Sequence, residues 1–399
     1  MGYEKIAFAG LAALLVLAPQ AVAGPDSCNA MQAAVLTATL PAHPFAAIPS
    51  ADGCTIYVSL MGQGPRKPGA VAVLRRDGGK LSALRGIPLD PAPMGLVLSH
   101  DGKLLIAASG DGVTFLDTAR MISGEGDAVL GHIDDGGRAA ISVAITPDDS
   151  FVFVSDERSA SISVVDLQKA RSSGFAGNAV VGQIPTGRAP VGLAVSPDGG
   201  TLYSTSEVVD SSEWPGGCKP EKPGKIGEHH QGAIIVVDVL RAQTDPAHAV
   251  LRRFPAGCNP VRVALSPGGE RLYATARDSN ALLVFDAAKL LSGAADSQIA
   301  SVGVGTSPVG VVVVENGTRV IVTNSDRFSR SGRDENQTLS VVDAGKLSSG
   351  TGAVLGTVEV GGFPRELHLT ADGRTLLVTN FGSSSLSLID LANMPIKPE

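Results

Sequence analysis

The chain has 399 residues, a length that would ordinarily suggest two or three domains, and a formal net charge of −7. Its 48 glycines and 25 prolines make up about 18% of the residues, which disfavours long helices, while 44% hydrophobic and only 18% charged residues disfavour an intrinsically disordered chain. The acidic balance argues against a nucleic-acid-binding protein, because phosphates are neutralised by lysine and arginine. These values together indicate an acidic all-β protein.

The N-terminus has the pattern of a secretory signal peptide. Lys5 precedes an apolar run at residues 6–18, and Ala21-Val22-Ala23 provides a small-residue cleavage motif before Gly24. The run of 13 residues is shorter than the roughly 20 that span a bilayer, and no later segment is long and apolar enough. We therefore expect a signal peptide at residues 1–23, a linker at 24–32, and a periplasmic or secreted protein without a membrane span.

A repeat runs through the rest of the chain. Each unit contains an apolar strand, an Asp-Gly-like turn, a second apolar strand and a third strand that ends near Asp, as in residues 191–205 and 234–238. The third position of the turn recurs at spacings of 49, 47, 50, 70, 48 and 56 residues, at Asp52, Asp101, Asp148, Asp198, Gly268, Asn316 and Asp372. The spacing predicts seven units, two of them with insertions.

A fourth strand is predicted where Ala-Val-Leu begins at Ala128, Ala249 and Ala353. Four short strands joined by tight turns are typical of a propeller blade. The last unit lacks a fourth strand, and Ala34-Val35-Leu36 has the matching pattern at the other end of the chain. We predict an all-β, seven-bladed propeller of four-stranded antiparallel blades over residues 33–399. Its N-terminal strand completes the last blade, so that no open sheet edge remains.

Residues 190–199 (PVGLAVSPDG) and 377–390 (LVTNFGSSSLSLID) resemble the YVTN-repeat β-propellers, a family that overlaps the lactonase-like seven-bladed propellers. The resemblance covers essentially the whole mature chain. It implies that the first strand of each blade is innermost and that function lies on the face that carries the loops between strands two and three and the loops into the next blade. We call this the mouth face, and the opposite face, with the turns between strands one and two, the turn face.

This arrangement selects among the three possible pairings of four cysteines. Cys218 lies in the loop between strands two and three of unit 4 and Cys258 in the loop into unit 5, both on the mouth face. Cys54 follows the first turn, and Cys28 precedes the N-terminal strand beside it. We predict the disulfides Cys218–Cys258 and Cys28–Cys54, which an oxidising compartment permits. The two insertions, residues 207–231 and 324–337, lengthen mouth-face loops and are either binding surfaces or tolerated insertions.

Two charges interrupt a series of small residues in the innermost strands. Where four units have Ala46, Gly95, Gly192 or Gly310, two others have Arg262 and Glu366. A charge in a crowded channel needs a partner or a ligand. One interpretation is an Arg262–Glu366 ion pair that fills the channel. The other is a polar cluster at the mouth that binds an anionic or hydroxylated small molecule, with four candidate residues: Asn259, Arg262, Arg365 and Glu366.

Two functions fit these observations. The first is an exported, non-catalytic propeller that binds a partner or small ligand with its channel-mouth loops, as the resemblance to YVTN-repeat proteins of cell envelopes implies. The alternative is a lactone hydrolase, with Glu366 and His368 as catalytic candidates and an arginine that holds the oxyanion. We expect a monomer that binds no nucleic acid and no cofactor. We also expect no metal, because the adjacent His229 and His230 cannot easily bind one ion.

Overall fold

The structure is a computed structural model that describes residues 28, 31, 33–62, 68–77, 80–210, 213–214, 218, 230–326 and 337–398. The predicted signal peptide at residues 1–23 and most of the predicted linker at 24–32 lie outside the described residues. So do the central parts of the two predicted insertions, together with His229. Within the described residues, no helix is long and apolar enough to cross a membrane.

The strands of the described chain form seven four-stranded antiparallel sheets, which confirms the predicted fold. Blade 1 contains β2 (His43–Pro49), β3 (Thr55–Met61), β4 (Gly69–Asp77) and β5 (Lys80–Leu89). Blade 2 contains β6 (Pro93–Leu98), β7 (Leu104–Ser109), β8 (Gly112–Asp117) and β9 (Val129–Asp134). Blade 3 contains β10 (Ala140–Ile145), β11 (Phe151–Asp156), β12 (Ser161–Asp166) and β13 (Val180–Pro185). Blade 4 contains β14 (Arg188–Val195), β15 (Thr201–Val208), β16 (Gln231–Asp238) and β17 (Val250–Cys258). Blade 5 contains β18 (Pro260–Leu265), β19 (Arg271–Ala276), β20 (Ala281–Asp286) and β21 (Gln298–Gly303). Blade 6 contains β22 (Pro308–Val314), β23 (Arg319–Asn324), β24 (Gln337–Asp343) and β25 (Val354–Val360). Blade 7 contains β26 (Pro364–Leu369), β27 (Thr375–Asn380), β28 (Ser385–Asp390) and β1 (Val35–Thr39).

The N-terminal strand closes the ring as predicted. β1 pairs antiparallel with β28, and Val35 lies opposite Ile389 and Leu36 opposite Leu388. Both predicted disulfides are present, with Cα–Cα distances of 5.1 Å for Cys28–Cys54 and 5.7 Å for Cys218–Cys258. The first fastens the segment before β1 to blade 1, and the second anchors the β15–β16 loop on the mouth face.

The aspartates of the repeat have two local roles. In the turns between strands one and two, Asp101 Oδ1 accepts hydrogen bonds from Ser99 Oγ (2.6 Å) and Lys103 N (3.0 Å), and these bonds lower the pKa of Asp101. At the end of strand three, Asp side chains cap short helices that the sequence pattern did not predict. These are α1 (Thr118–Ser123), α2 (Leu167–Ser172), α3 (Val239–Ala242) and α4 (Ala287–Ser292), capped by Asp117, Asp166, Asp238 and Asp286. After them, strands β9, β17 and β25 begin one residue beyond Ala128, Ala249 and Ala353.

Hydroxyl side chains on strand two tie neighbouring blades together near the channel. In blade 4, Thr205 Oγ1 accepts a hydrogen bond from Gly192 N (2.8 Å) and donates one to Val261 O of blade 5 (2.9 Å). Thr379 repeats the pattern across the ring closure, from Glu366 N to Phe45 O of blade 1. The innermost strands are therefore held in a fixed register around the axis, which positions the side chains described next.

Candidate functional site

A cluster of side chains closes the central channel close to the mouth face. Seven equivalent positions, each directly after the last pair of the β-ladder before its bulge, converge there: Phe45, Met94, Ile141, Val191, Val261, Val309 and Arg365. We call these seven residues the plug. The six plug residues outside blade 7 are apolar and pack in one cluster with Met61 and Phe381. Phe45 is only 1% exposed. Because apolar side chains from all around the ring meet on the axis, the channel is filled at this level.

The seventh member of the plug, Arg365, lies among aromatic rings. Its Cζ is 4.1 Å from the ring centroid of Phe45 and 5.6 Å from those of Phe363 and Phe381. His43 stacks on Phe381 with 4.9 Å between ring centroids, and its Nδ1 is 2.7 Å from Phe381 O. Cation–π contacts of this kind hold a guanidinium in an otherwise apolar layer. Arg365 therefore helps to close the channel at the seam between blades 7 and 1.

The next layer towards the turn face contains the predicted charged pair. Arg262 Nε donates a hydrogen bond to Glu366 Oε1 (2.7 Å), and Arg262 Nη2 contacts the same oxygen. The pair reaches across blade 6, where Gly310 occupies the equivalent position and a Cβ would lie 2.5 Å from Arg365 O. The Arg262 side chain is 9% exposed and that of Glu366 21%. The structure thus brings these two residues together as an ion pair beneath the plug.

His368 lies one layer further towards the turn face. The other six residues of its layer are apolar: Ile48, Val97, Ala144, Ala194, Ala264 and Val312. His368 is exposed to solvent although the channel wall encloses it. Because the plug fills the mouth side, water reaches this ring from the turn face. Enclosure lowers the pKa of His368, and the nearby Glu366 carboxylate opposes that effect.

Asn259 belongs to a separate, largely buried network at the mouth end of the ring, where it is 6% exposed. It follows Cys258, adopts a left-handed backbone conformation with φ of 47°, and its Nδ2 donates a hydrogen bond to Asp278 Oδ2. The adjacent Arg277 pairs with Glu207, with 3.2 Å between Nη1 and Oε1. The four candidate ligand-binding residues therefore occupy three different levels. Asn259 is buried near the mouth face, Arg365 lies in the plug, and Arg262 with Glu366 lies beneath it.

A pocket that the sequence did not reveal opens on the mouth face between blades 3 and 4. Its volume is about 310 Å³, and it is lined by Glu157, Arg158, Ala160, Arg188, Ala189 and Val208. Arg158 and Arg188 are exposed, and neither side chain forms an ion pair or hydrogen bond within the described chain. Ala160 and Ala189 have φ angles of 56° and 53°, so two non-glycine residues hold left-handed conformations in its wall. The pocket is thus lined by two arginines, one glutamate and three apolar residues.

A second cavity, of about 470 Å³, lies on the turn face between blades 4 and 5 and has acidic lining residues that include Asp198, Glu270 and Asp286. Among the residues that the structure describes, no three His, Cys, Asp or Glu side chains are grouped to hold a metal ion. These two cavities thus differ in charge, because the described lining of the mouth-face pocket contains two arginines and one glutamate and that of the turn-face cavity contains three acidic residues and no arginine.

Comparisons with known proteins identify the fold and no family. No family model matches the chain, and no curated protein matches it, so the resemblance to YVTN-repeat proteins stays a prediction. Among solved structures, hydrazine synthase of Kuenenia stuttgartiensis is similar, with a TM-score of 0.64 and 17% identity over 88% of this chain and 96% of that chain. A chain of a mitotic checkpoint complex has a TM-score of 0.63 and 15% identity over 96% of this chain and 99% of that chain.

Proposed function

We propose that this protein is an exported, non-catalytic β-propeller that binds a partner or small ligand with its mouth face. The observation that carries this proposal is the mouth-face pocket with Arg158 and Arg188, two arginines without a protein partner in the described chain. Guanidinium groups bind carboxylates and phosphates through two parallel hydrogen bonds. In a chain with a net charge of −7, two unpaired arginines at one pocket favour an anionic group on the ligand.

Other features support a binding role at the same face. The Cys218–Cys258 disulfide anchors the longest insertion of the chain there. A structure of similar fold is part of a mitotic checkpoint complex, so a ring of this size serves as a component of a protein assembly. Two disulfides fit an oxidising compartment, in keeping with the predicted signal peptide and with the YVTN-repeat proteins of cell envelopes. Of the ligand-binding candidates, Asn259 is buried close to this face, whereas Arg262, Arg365 and Glu366 lie deeper in the channel.

Site-specific photocrosslinking in the native host tests this proposal. A photoreactive amino acid at Ala160, in the mouth-face pocket, is expected to form a covalent adduct, and one at Leu291, in the turn-face cavity, is not. Arg158→Ala combined with Arg188→Ala should reduce the adduct at least tenfold, because charge-assisted hydrogen bonds contribute about 1.5–3 kcal/mol each.

The matched control is Arg120→Ala with Arg171→Ala, which removes the same charge from α1 and α2 and should leave the adduct unchanged. Adducts from Leu291 alone, or a yield that the pocket variant does not alter, would contradict binding at the mouth face.

The alternative function, a lactone hydrolase, is favoured by one observation. His368 is exposed in the channel beside Glu366, and its lowered pKa keeps the imidazole neutral and able to accept a proton at neutral pH. Against this, Glu366 Oε1 is already bound by Arg262, which fits a structural role for that carboxylate.

A panel of lactones, assayed with and without a divalent metal, separates the two functions. We expect no turnover by the purified protein. Turnover that His368→Gln abolishes while the thermal unfolding midpoint is unchanged would establish the hydrolase instead. His368→Gln is preferable to a Glu366 variant here, because loss of Glu366 would also leave Arg262 unpaired.

A further inference from the structure

Two aspartates are buried at the mouth end of the seam between blades 2 and 3. Asp135, in the β9–β10 loop, is 3% exposed, and Asp156, at the end of β11, is 0% exposed. Gly137 N donates a hydrogen bond to Asp135 Oδ1 (2.8 Å), and Ser163 Oγ donates one to Asp156 Oδ2 (2.7 Å). The remaining oxygens, Asp135 Oδ2 and Asp156 Oδ1, are buried without a hydrogen-bond partner in the described chain. A buried carboxylate oxygen in this state is strongly unfavourable.

The two carboxyl groups flank the same glycine. Gly137 binds Asp135 through its N–H, and a Cβ on Gly137 would lie 2.2 Å from Asp156 Cγ. Gln183 Nε2 completes the contact on the other side, at 3.5 Å from Asp135 O and 3.4 Å from Ser163 Oγ. The two acids therefore belong to one small polar site and interact directly through their charges.

The surroundings of this site are acidic. Asp111 and Asp134 lie at its exposed side, and both raise the pKa of Asp135. The other charged or titratable groups of the packed loops and strands are His132, Arg138, Glu157 and Arg158. None of the basic ones forms an ion pair with Asp135 or Asp156 in the described chain. Burial lowers the pKa of His132, so its ring is neutral at the pH where these acids would ionise. Within the residues that the structure describes, no cation compensates two negative charges here.

Two other blades have an asparagine at the position equivalent to Asp156, and its Oδ1 is likewise buried without a hydrogen-bond partner in the described chain. The residue that pairs with the first residue of the innermost strand is Asp156 in blade 3, Asn324 in blade 6 and Asn380 in blade 7. Asn324 Nδ2 donates hydrogen bonds to Thr338 Oγ1 (2.9 Å) and Ser340 Oγ (3.0 Å), and Asn380 Nδ2 bonds two serines in the same way. In both blades a glycine, Gly305 or Gly361, lies against the amide as Gly137 lies against Asp156. Two other blades thus place a neutral hydrogen-bond donor where blade 3 has a carboxyl group.

We propose that Asp135 and Asp156 form a proton-binding pair that holds one proton between two carboxyl groups in the folded protein at neutral pH, and that loss of this proton weakens the seam between blades 2 and 3. A protonated carboxyl supplies the donor that the asparagines supply elsewhere, and one proton leaves one buried charge instead of two. The inference is independent of the function proposed for the arginine pocket.

The sign of the resulting pH dependence follows from the direction of the pKa shifts. Burial raises the pKa of both carboxyls, and for Asp135 the Asp156 charge adds to the effect. In the unfolded chain an aspartate ionises near pH 4. Above that pH the folded state binds more protons than the unfolded state, so stability falls as pH rises until the pair has lost its proton. Each pH unit in that window changes the unfolding equilibrium constant up to about tenfold for one proton.

The test compares the wild-type protein with Asp156→Asn and with the converse variant, Asn324→Asp, in urea unfolding at pH 5, 7 and 9. Asp156→Asn is expected to reduce the loss of stability with rising pH and to be more stable than wild type at pH 9. Asn324→Asp should make the loss of stability with rising pH steeper. Asp134→Asn, at the exposed side of the site, should change this pH dependence little. Infrared spectra of the folded wild type near pH 6 should contain the C=O stretch of a buried protonated carboxyl that Asp156→Asn and Asp135→Asn both remove.

Two results would overturn the proposal. One is the absence of that protonated band from the wild-type spectrum, which needs no variant to fold. The other is a calcium-dependent rise of the unfolding midpoint in wild type that Asp156→Asn abolishes, because the pair would then hold a cation in place of a proton.

Discussion

Deletion of residues 1–41 is expected to abolish cooperative unfolding of a native ring, whereas deletion of residues 1–27 leaves it intact. The longer deletion removes β1, which pairs with β28 over five residue pairs from Val35–Ile389 to Thr39–Ser385. Without β1, the backbone N–H and C=O groups along one edge of β28 lose their partners and form an open edge that can pair with another chain.

Apolar burial adds to this effect. Leu36 and Leu40 pack in one cluster with Leu377, Leu386 and Leu388 of blade 7. Full burial of one such side chain contributes about 1.5–3 kcal/mol, and the total stability of a domain is typically about 5–15 kcal/mol. Loss of several of these contacts together with the strand pairing is therefore comparable with the whole free energy of folding.

Circular dichroism melts and size-exclusion chromatography of the two deletions provide the measurement. A variant with Cys28→Ser and Cys54→Ser separates the disulfide from the strand, and we expect it to fold with a loss of about 3 kcal/mol. If the 1–41 deletion is monomeric and melts like the 1–27 deletion, the N-terminal strand is not required for closure.

Loss of Glu366 is expected to destabilise the protein more than loss of Arg262, and loss of both less than loss of Glu366 alone. Glu366→Ala leaves the guanidinium of Arg262, whose side chain is 9% exposed, without its carboxylate beneath the plug. Removal of one partner of a buried ion pair typically reduces stability by about 3–5 kcal/mol. Arg262→Ala leaves Glu366 at 21% exposure, where channel water still solvates the carboxylate, so its effect is smaller.

The double variant places alanine at both positions, as blade 1 has at Ala46, and removes both charges at once. Urea unfolding midpoints of the four proteins at pH 7 form a double-mutant cycle whose coupling energy measures the pair. Effects of Glu366→Ala and Arg262→Ala that simply add would show that the two charges do not depend on each other.

The sequence was sufficient for the fold because the fold repeats. The turn around Asp198 and its equivalents recurs every 47 to 50 residues except at the two insertions, and seven occurrences predict seven blades. The missing fourth strand of the last unit then assigned Val35 and Leu36 to blade 7, and the face on which each loop lies paired Cys218 with Cys258. These predictions needed only the order of the strands, which a repeat specifies without any detail of side-chain packing.

The site was less accessible from the sequence because it depends on which side chains meet at the axis. The sequence pattern identifies the small residues Gly192 and Gly310, but it does not indicate that the apolar residue before each of them belongs to the plug. Its recurrence, as Val191 and Val309, was the available signal. The pocket at Arg158 and Arg188 gave no signal, since the two arginines are 30 positions apart in different blades. In the sequence Asp156 likewise has the pattern of an ordinary strand end. Its burial depends on how blades 2 and 3 pack, which the sequence pattern does not specify.

Closure by the N-terminal strand also affects the order of folding during synthesis. The hydroxyls of Thr37 and Ser387 lie 3.0 Å apart in the finished ring, although 350 positions separate them along the chain. The first segment to leave the ribosome therefore waits for the last, and the other six blades can assemble while the seventh still lacks the pairing of β1 with β28. A contact of such long range raises the entropic cost of loop closure and slows folding. The nascent ring is accordingly most vulnerable to association with other chains just before its final strand is released.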